Sequence, residues 1–530
     1  MKHSFLFILF ILSTSVFAQK LGIHIQESKV YKMTTARVQN DYILPDNQGG
    51  FITISSKRSG FLANPLVFES YLTHYDKDLN RVKSKTIRLN KGIIKGHIKG
   101  AFVQNDKLYL INLVTNLRKR YYAFNKIEGD IKQGTIKETE FLRLDFIYPK
   151  NEVNLFVNPG SLYYQKLKYY SDVNFFNPKI FIKFSRDRHY FAIIYRDLNA
   201  TSTLYHIKVF DHNFNPVYSQ QLSENVPASQ FYINDLTLDD QTGAVYIAGQ
   251  LYKSDPLRKR RLMNTDNTRQ FKIYYATADK MEVYNLKPRK VFDKIHLKLG
   301  QNLIVYGFFR HRYLDLNHID GFYRLDLTPE LALLKSTYQT FEHQLVNITK
   351  RKSIKKSKNH AMVIRKTFLL EDGSLVVNAE DLFVPLMMKK EDREATVREI
   401  VGNLFSIKVA EKGQIIWAKK INKRQVVKPR LALHSVFAAW LHQANYILYT
   451  DSPLNMQDSN QPFYLSGKDL NNLNGIKISS GGQVQKQVLY EPKRSKFRFM
   501  PIEGTLIDDH TAIIPAKDHM FIKFYKLTFD

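Results

Sequence analysis

Two runs of basic side chains carry the densest chemical functionality in this 530-residue sequence. Arg258, Lys259, Arg260 and Arg261 stand consecutively, and Lys350, Arg351, Lys352, Lys355, Lys356 and Lys358 follow one another without an intervening acid. Clustered guanidinium and ammonium groups pair with carboxylate, sulfate or phosphate and attract anionic partners from a distance. The plainer reading of such a run is a solvated loop. A second set of cations interrupts apolar alternation: Lys183 in "FIKF", Lys298 in "LKL" and Arg498 in "FRF", with Lys99 and Arg365 similarly placed. Unpaired buried charge is costly, so these side chains must reach carboxylates or water. Pairing with acids on neighbouring elements is the expected outcome, and a positively charged, water-filled channel is the alternative.

Motifs for covalent or metal chemistry are absent. The sequence has no G-x-S-x-G nucleophile elbow and no H-E-x-x-H or comparable metal spacing. His311 and His318 in "RHRYLDLNHID" are a candidate metal pair without a clear third ligand. The segment "DKDLN" at 76–80 begins like a calcium loop but lacks the central Gly and terminal Glu. Its counterpart "DHNFN" at 211–215 occupies the same place in a repeat, so both are expected to be turns. The sialidase Asp-box is missing, and Trp417 and Trp440 are the two tryptophans available for stacking on sugars. No catalytic residue, cofactor site or metal site is assigned. Enzymes that draw acid and base from separate elements leave no linear motif, so this absence weighs little; the chain is read as a binder first, with an enzyme as the alternative.

The elements that must carry these residues repeat along the chain. "LTHYDKDLNRVKSKTI" from Leu72, "IKVFDHNFNPVYSQQL" from Ile207 and "FYRLDLTPELALLKST" from Phe322 each read as strand, polar turn, strand. Weaker copies start at Tyr121, Ile273, Leu404 and Gly475, and the final "FIKFYKLTFD" supplies half a copy. An apolar hairpin precedes each one, with second strands such as "KLYLINLV" from Lys107 and "SLVVNAE" from Ser374. Two hairpins make a four-stranded antiparallel blade, and eight such units predict an all-β, eight-bladed β-propeller. Seven blades, or two smaller propellers, are the alternatives. The half copy at the end calls for a partner. The extra strand "KVYKMTTARV" at 29–38 is expected to pair with 521–529 and close the ring, rather than leave an edge for another protein.

A minimal blade takes about 40–45 residues, so the excess length must lie in insertions. These fall near 251–270, 381–403 and 451–473 inside blades, and near 148–178 and 343–360 between blades. Both kinds of connection emerge on one face of a propeller, which makes that loop-rich face the expected working surface. Both basic runs fall in these insertions. The segment 389–403 has mixed charge at helical spacing and is expected to form a short surface helix.

The N-terminus, "MKHSFLFILFILSTSVFAQK", reads as a signal peptide over residues 1–18, cleaved before Gln19. Its apolar run is shorter than the roughly 20 residues of a spanning helix, so residues 19–530 are expected to form one exported propeller domain, periplasmic or secreted. The sequence contains no cysteine, which excludes disulfides, thiolate chemistry and a lipid-modified N-terminal cysteine. A formal net charge of +30 favours a protein partner or an anionic polysaccharide or other envelope polymer. Export makes nucleic acid the least expected partner.

Through its leader, its repeated "YDKDLN" and "FDHNFN" hairpins and its divided last blade, the chain resembles the broad class of exported bacterial β-propellers. Some envelope-assembly scaffolds are similar, although this sequence lacks their lipid-anchoring cysteine. The resemblance implies fold alone; the loop-rich basic face makes a non-catalytic binding or scaffold protein of the cell envelope the expected function. The alternative is a hydrolase or lyase acting on an anionic glycan at the channel mouth.

Overall fold

The computed structural model describes residues 21–34, 38–59, 66–89, 95–116, 118–130, 135–145, 180–197, 200–227, 230–252, 269–310, 319–341, 360–383, 399–423, 425–427, 436–452, 455, 472–491 and 496–530. Its strands form eight antiparallel sheets arranged in a ring, a β-propeller. The inner strand of each blade is Val38–Pro45, Lys95–Gln104, Ile180–Phe184, Phe231–Leu238, His296–Leu299, His360–Leu369, Phe437–Leu441 and Thr505–Leu506, in blades 1 to 8. Shorter inner pieces, Val291–Phe292 and Arg498–Phe499, precede the last strand named in blades 5 and 8.

Burial follows distance from the ring's outside. The second strands of blades 4 and 5, Val245–Tyr252 and Leu303–Arg310, are buried at every position, whereas the outer strand Arg81–Ile87 is exposed along nearly its whole length. Strands covered on both faces read as continuous apolar runs, and strands facing water do not. The core is therefore divided among the interfaces between blades. Ile52, Ile54, Val103 and Leu110 join blades 1 and 2, and Phe124, Phe191 and Phe210 join blades 2 and 3. Val209, Leu236 and Ile247 follow between blades 3 and 4, then Tyr246, Val305 and Tyr323 between 4 and 5. Tyr306, Val377 and Phe405 join 5 and 6, Trp417, Ile447 and Ile476 join 6 and 7, and Ala439, Ile514 and Leu527 join 7 and 8. The eighth cluster, Phe51, Tyr75, Ile513 and Phe524, ties blade 8 back to blade 1.

The ring closes at the N-terminus, with part of the expected segment and an earlier strand beside it. Ile23–Glu27 pairs with 525–529, from Ile23 opposite Phe529 to Glu27 opposite Tyr525, and Tyr31–Lys32 pairs with Ile522 and Phe521. The closing strand thus begins before 29–38, and Val38 already belongs to blade 1. The physical reason is the alternation of Leu21, Ile23 and Ile25, whose side chains pack toward the cluster between blades 7 and 8. Ser28 bridges the gap between the two short strands. Its N–H donates to the Phe524 carbonyl at 2.9 Å, and its hydroxyl accepts the Phe524 N–H at 2.9 Å.

The repeated Asp turns behave as expected. Asp211 Oδ1 accepts the N–H groups of Asn213 and Asn215, each at 2.8 Å, and Asp76 receives Asp78 and Asn80 in the same way at 3.0 and 2.7 Å. Leu79 and Phe214 take positive φ angles of 66° and 72° there while burying their side chains. The expected helix at 389–403 is not formed in its described part. Glu399–Val409 is a strand, in which Val401 is wholly buried opposite Leu382. Burial of that β-branched side chain overrides the helical charge spacing.

Candidate functional site

Antiparallel order gives the ring two unlike faces. Each inner strand starts on the face where the chain arrives from the preceding blade and ends at a turn on the opposite face. The described strand ends that flank 146–179, 253–268, 342–359, 384–398 and 456–471 all lie on the arrival face. On the turn face, neighbouring strands are joined by short reversals such as Asn105-Asp106 and His442-Gln443, both with positive φ. Arg258, Lys259, Arg260, Arg261, Lys350, Arg351, Lys352, Lys355, Lys356 and Lys358 lie outside the described residues, as do His311 and His318.

Beneath the arrival face, blades 6 and 7 share a buried ionic network. Glu380 lies in the second strand of blade 6, Leu375–Phe383, and is wholly buried. Arg365 Nε donates to its Oε2 at 2.6 Å, and Lys423 Nζ donates to its Oε1. Arg365 can reach inward because it occupies a bulge between Ile364 and Lys366. Burial alone would raise the Glu380 pKa, but the two cations outweigh it and push the carboxyl down to about 2. Lys423, itself wholly buried, is pushed down by burial against the pull of Glu380 and Asp451. Asp451 in turn accepts the Ser452 N–H at 2.8 Å and the Asn455 amide at 2.9 Å. The Gln425 amide donates to Thr450 Oγ1 at 2.9 Å. The network fixes the chain where it crosses from blade 6 to blade 7.

The channel carries a second charged group, nearer the turn face. Lys183 of blade 3 and Lys298 of blade 5 each lie one position before the end of their inner strand, opposite Ala192 and Ile304. Lys366 of blade 6 lies farther in, opposite Asn378. Asp235 of blade 4 faces them. Its Oδ1 accepts the Leu236 N–H at 2.8 Å, its Oδ2 accepts the Leu297 N–H at 3.0 Å, and His296 Nδ1 stands 3.7 Å away. Burial acts to raise Asp235, yet His296, Lys183 and the Leu297 N–H together hold its carboxyl below the usual range. Lys298 is pushed down by burial and then by the charges of Lys366, Lys183 and Arg186, with Asp235 opposing. Lys366 is pushed down by burial and by Lys183.

The interrupting cations therefore divide into two kinds. Arg365 is paired, although its acid lies in its own blade rather than a neighbouring one. Lys183 and Lys298 form no ion pair among the described residues, because the one carboxylate near them is already held by two backbone N–H groups and a histidine. Arg498 lies in the short inner piece of blade 8, opposite Lys517. Glu380, Lys423, Asp235 and Lys366 were not singled out by the sequence. The acid pair Glu380-Asp381 inside the largely apolar strand "LVVNAEDLF" was the available signal for Glu380.

Among the described residues, no helix is long and apolar enough to cross a membrane. No family model and no curated protein matches the chain. It is similar in structure to the polysaccharide lyase Uly1, at 10% identity and a TM-score of 0.39, over 95% of this chain and 100% of that one. It is also similar to the β-propeller domain of the Trilobed protease from Pyrococcus furiosus, at 10% identity and a TM-score of 0.33, over 88% and 100%. A third similar structure is the acylaminoacyl peptidase of Pyrococcus horikoshii, at 10% identity and a TM-score of 0.34. That match covers 82% of this chain and 52% of the peptidase. These likenesses are of fold and carry no argument about activity.

Proposed function

We propose that this chain is a non-catalytic binding or scaffold protein of the bacterial cell envelope. It is exported after loss of residues 1–18, and its arrival face holds a protein or an anionic envelope polymer. The observation that carries this reading is the placement of the strand ends flanking 253–268 and 342–359 on one face of the ring. Those two segments contain Arg258–Lys259–Arg260–Arg261 and the six cations from Lys350 to Lys358, so the ring would present them together. Loops on a rigid scaffold are where binding residues concentrate, and a basic set of this size attracts anions at long range.

The test is binding of residues 19–530 to a panel of anionic and neutral envelope polymers at two salt concentrations. A variant with Lys350, Arg351, Lys352, Lys355, Lys356 and Lys358 changed to serine runs alongside. Salt-sensitive binding to one anionic polymer, lost in the variant, supports the proposal. Equal binding by both proteins, or none, overturns the polymer form of the reading and leaves a protein partner. Shortened polymer in the reaction mixture would instead identify a glycan hydrolase or lyase.

A further inference from the structure

Three lysines converge on the channel from three blades, and the protein provides them with almost no compensation. Lys183, Lys298 and Lys366 make no hydrogen bond and no ion pair among the described residues; Lys366 rests near the Phe368 ring, 6.0 Å from its centroid. Their charges act on one another in all three pairings. Lys183 and Lys366 remain exposed to solvent, and Lys298 is half-buried. Wet side chains enclosed by protein on a ring axis describe a water-filled channel wall rather than an outer surface. Among the described residues, the one carboxylate that acts on Lys298 is Asp235, and it is committed to the Leu236 and Leu297 N–H groups. Three like charges in a confined space, against one acid, leave an uncompensated positive potential that water relieves only in part.

We infer that Lys183, Lys298 and Lys366 form a binding site for a compact, multiply charged oxyanion, of the phosphate or sulfate class, at the turn-face end of the channel. Each ammonium offers three donors that rotate freely, and three lysines from separate strands can surround a tetrahedral anion. The site is separate from the arrival face. Lys183 and Lys298 adjoin the short turns at 185–189 and 300–302, so an anion would enter from the face without long connections. Asp235 sets the selectivity. Its fixed negative charge disfavours a singly charged anion relative to one carrying two or more charges, and His296 partly offsets it.

The experiment is calorimetric titration of residues 19–530 with inorganic phosphate, inorganic sulfate and chloride at constant ionic strength. Lys298→Met, Lys366→Met and Asp235→Asn are titrated in parallel, together with the lysine-to-serine variant of 350–358. A sugar monophosphate forms a further arm and decides whether the site takes a free ion or the charged substituent of a larger ligand. Saturable binding of phosphate or sulfate but not chloride is expected. Each Lys→Met change should weaken it by about tenfold, equivalent to ~1.4 kcal/mol, and Asp235→Asn should tighten it. The 350–358 variant should bind as the parent does.

In anion-free buffer, both Lys→Met variants should melt at or above the parent temperature, because each removes an uncompensated charge. No saturable heat with either dianion overturns the site, as does binding unaffected by both lysine changes. Should one lysine variant fail to fold, the other and Asp235→Asn still decide the question. Polymer binding absent from the parent, or equal in parent and 350–358 variant, with phosphate binding intact would overturn the polymer form of the arrival-face reading alone.

Discussion

Replacing Lys423 with methionine should weaken the junction between blades 6 and 7 far more than removal of any surface charge. Glu380 has no exposed surface, and its carboxyl, ordinarily near 4.5, is held at about 2 by Lys423 and Arg365 against the opposing effect of burial. A depression of that size corresponds to a contribution of about 3 kcal/mol. A carboxyl whose folded pKa is lowered stabilises the fold fully above its unfolded pKa, near 4.5, and loses that contribution as pH falls toward 2. Removing one member of a buried ion pair costs about 3–5 kcal/mol, because the remaining charge is left dry and unmatched.

Lys423 is itself pushed down by burial despite its partner, so the pair only narrowly repays the dehydration of its two charges. The double variant Lys423→Met/Glu380→Leu should therefore return to within about 1–2 kcal/mol of the parent. Urea unfolding at pH 7, followed by tryptophan fluorescence, reads this directly. Trp417 belongs to the cluster that joins the two blades, and its indole N–H donates to the Ser480 carbonyl at 3.1 Å; Trp440 packs beside it. The gap between parent and Lys423→Met should narrow from pH 7 to pH 4, as Glu380, left with Arg365 as its one cation, takes up a proton. A single-variant loss below about 1 kcal/mol, or a double variant as damaged as the two singles together, would refute the reasoning.

Other perturbations test the ring and its turns. Phe524→Ala should cost about 3–5 kcal/mol in thermal or urea unfolding, since that side chain is buried where blade 8 meets blade 1. Asp211→Ala deprives two backbone N–H groups of their acceptor and should lower stability by about 1–2 kcal/mol, with Asp76→Ala matching it. Gly482→Ala should destabilise by about 1–3 kcal/mol. Its φ is +86°, and a Cβ there would sit 2.8 Å from the Trp417 ring, so the fluorescence spectrum should shift as well.

The blade pattern was legible because each blade repeats the same physical solution. Apolar second strands and Asp-anchored turns recur at "YDKDLN" and "FDHNFN", and a buried strand between two covered faces leaves little freedom in composition. The closing strand was legible as a need, though not as a register. The 29–38 segment alternates well enough to resemble a strand, but Leu21, Ile23 and Ile25 fill the space between blades 7 and 8, and only the packed neighbours reveal that. The charged groups were half legible. Lys183 and Lys298 stand out as cations in apolar strands, whereas Glu380 and Lys423 are 43 residues apart, and Arg365 reaches Glu380 from the bulge it occupies. Bulges shift register without marking the sequence. The 389–403 segment failed for the opposite reason: its charge spacing is a local signal, and burial of Val401 is a tertiary one.

The closing pair also sets an order of events. Ile23–Glu27 is synthesised long before its partner at 525–529. Among the described strands, no other hydrogen-bonded pair is separated by so much chain. Until residue 529 has left the ribosome, the first strand lacks its ladder partner and the ring stands open as a seven-bladed arc with raw edges at both ends. Long-range closures of this kind are slow, and open strand edges recruit one another. The vulnerable period therefore lasts until 521–529 has been made and Ile23–Glu27 has found it.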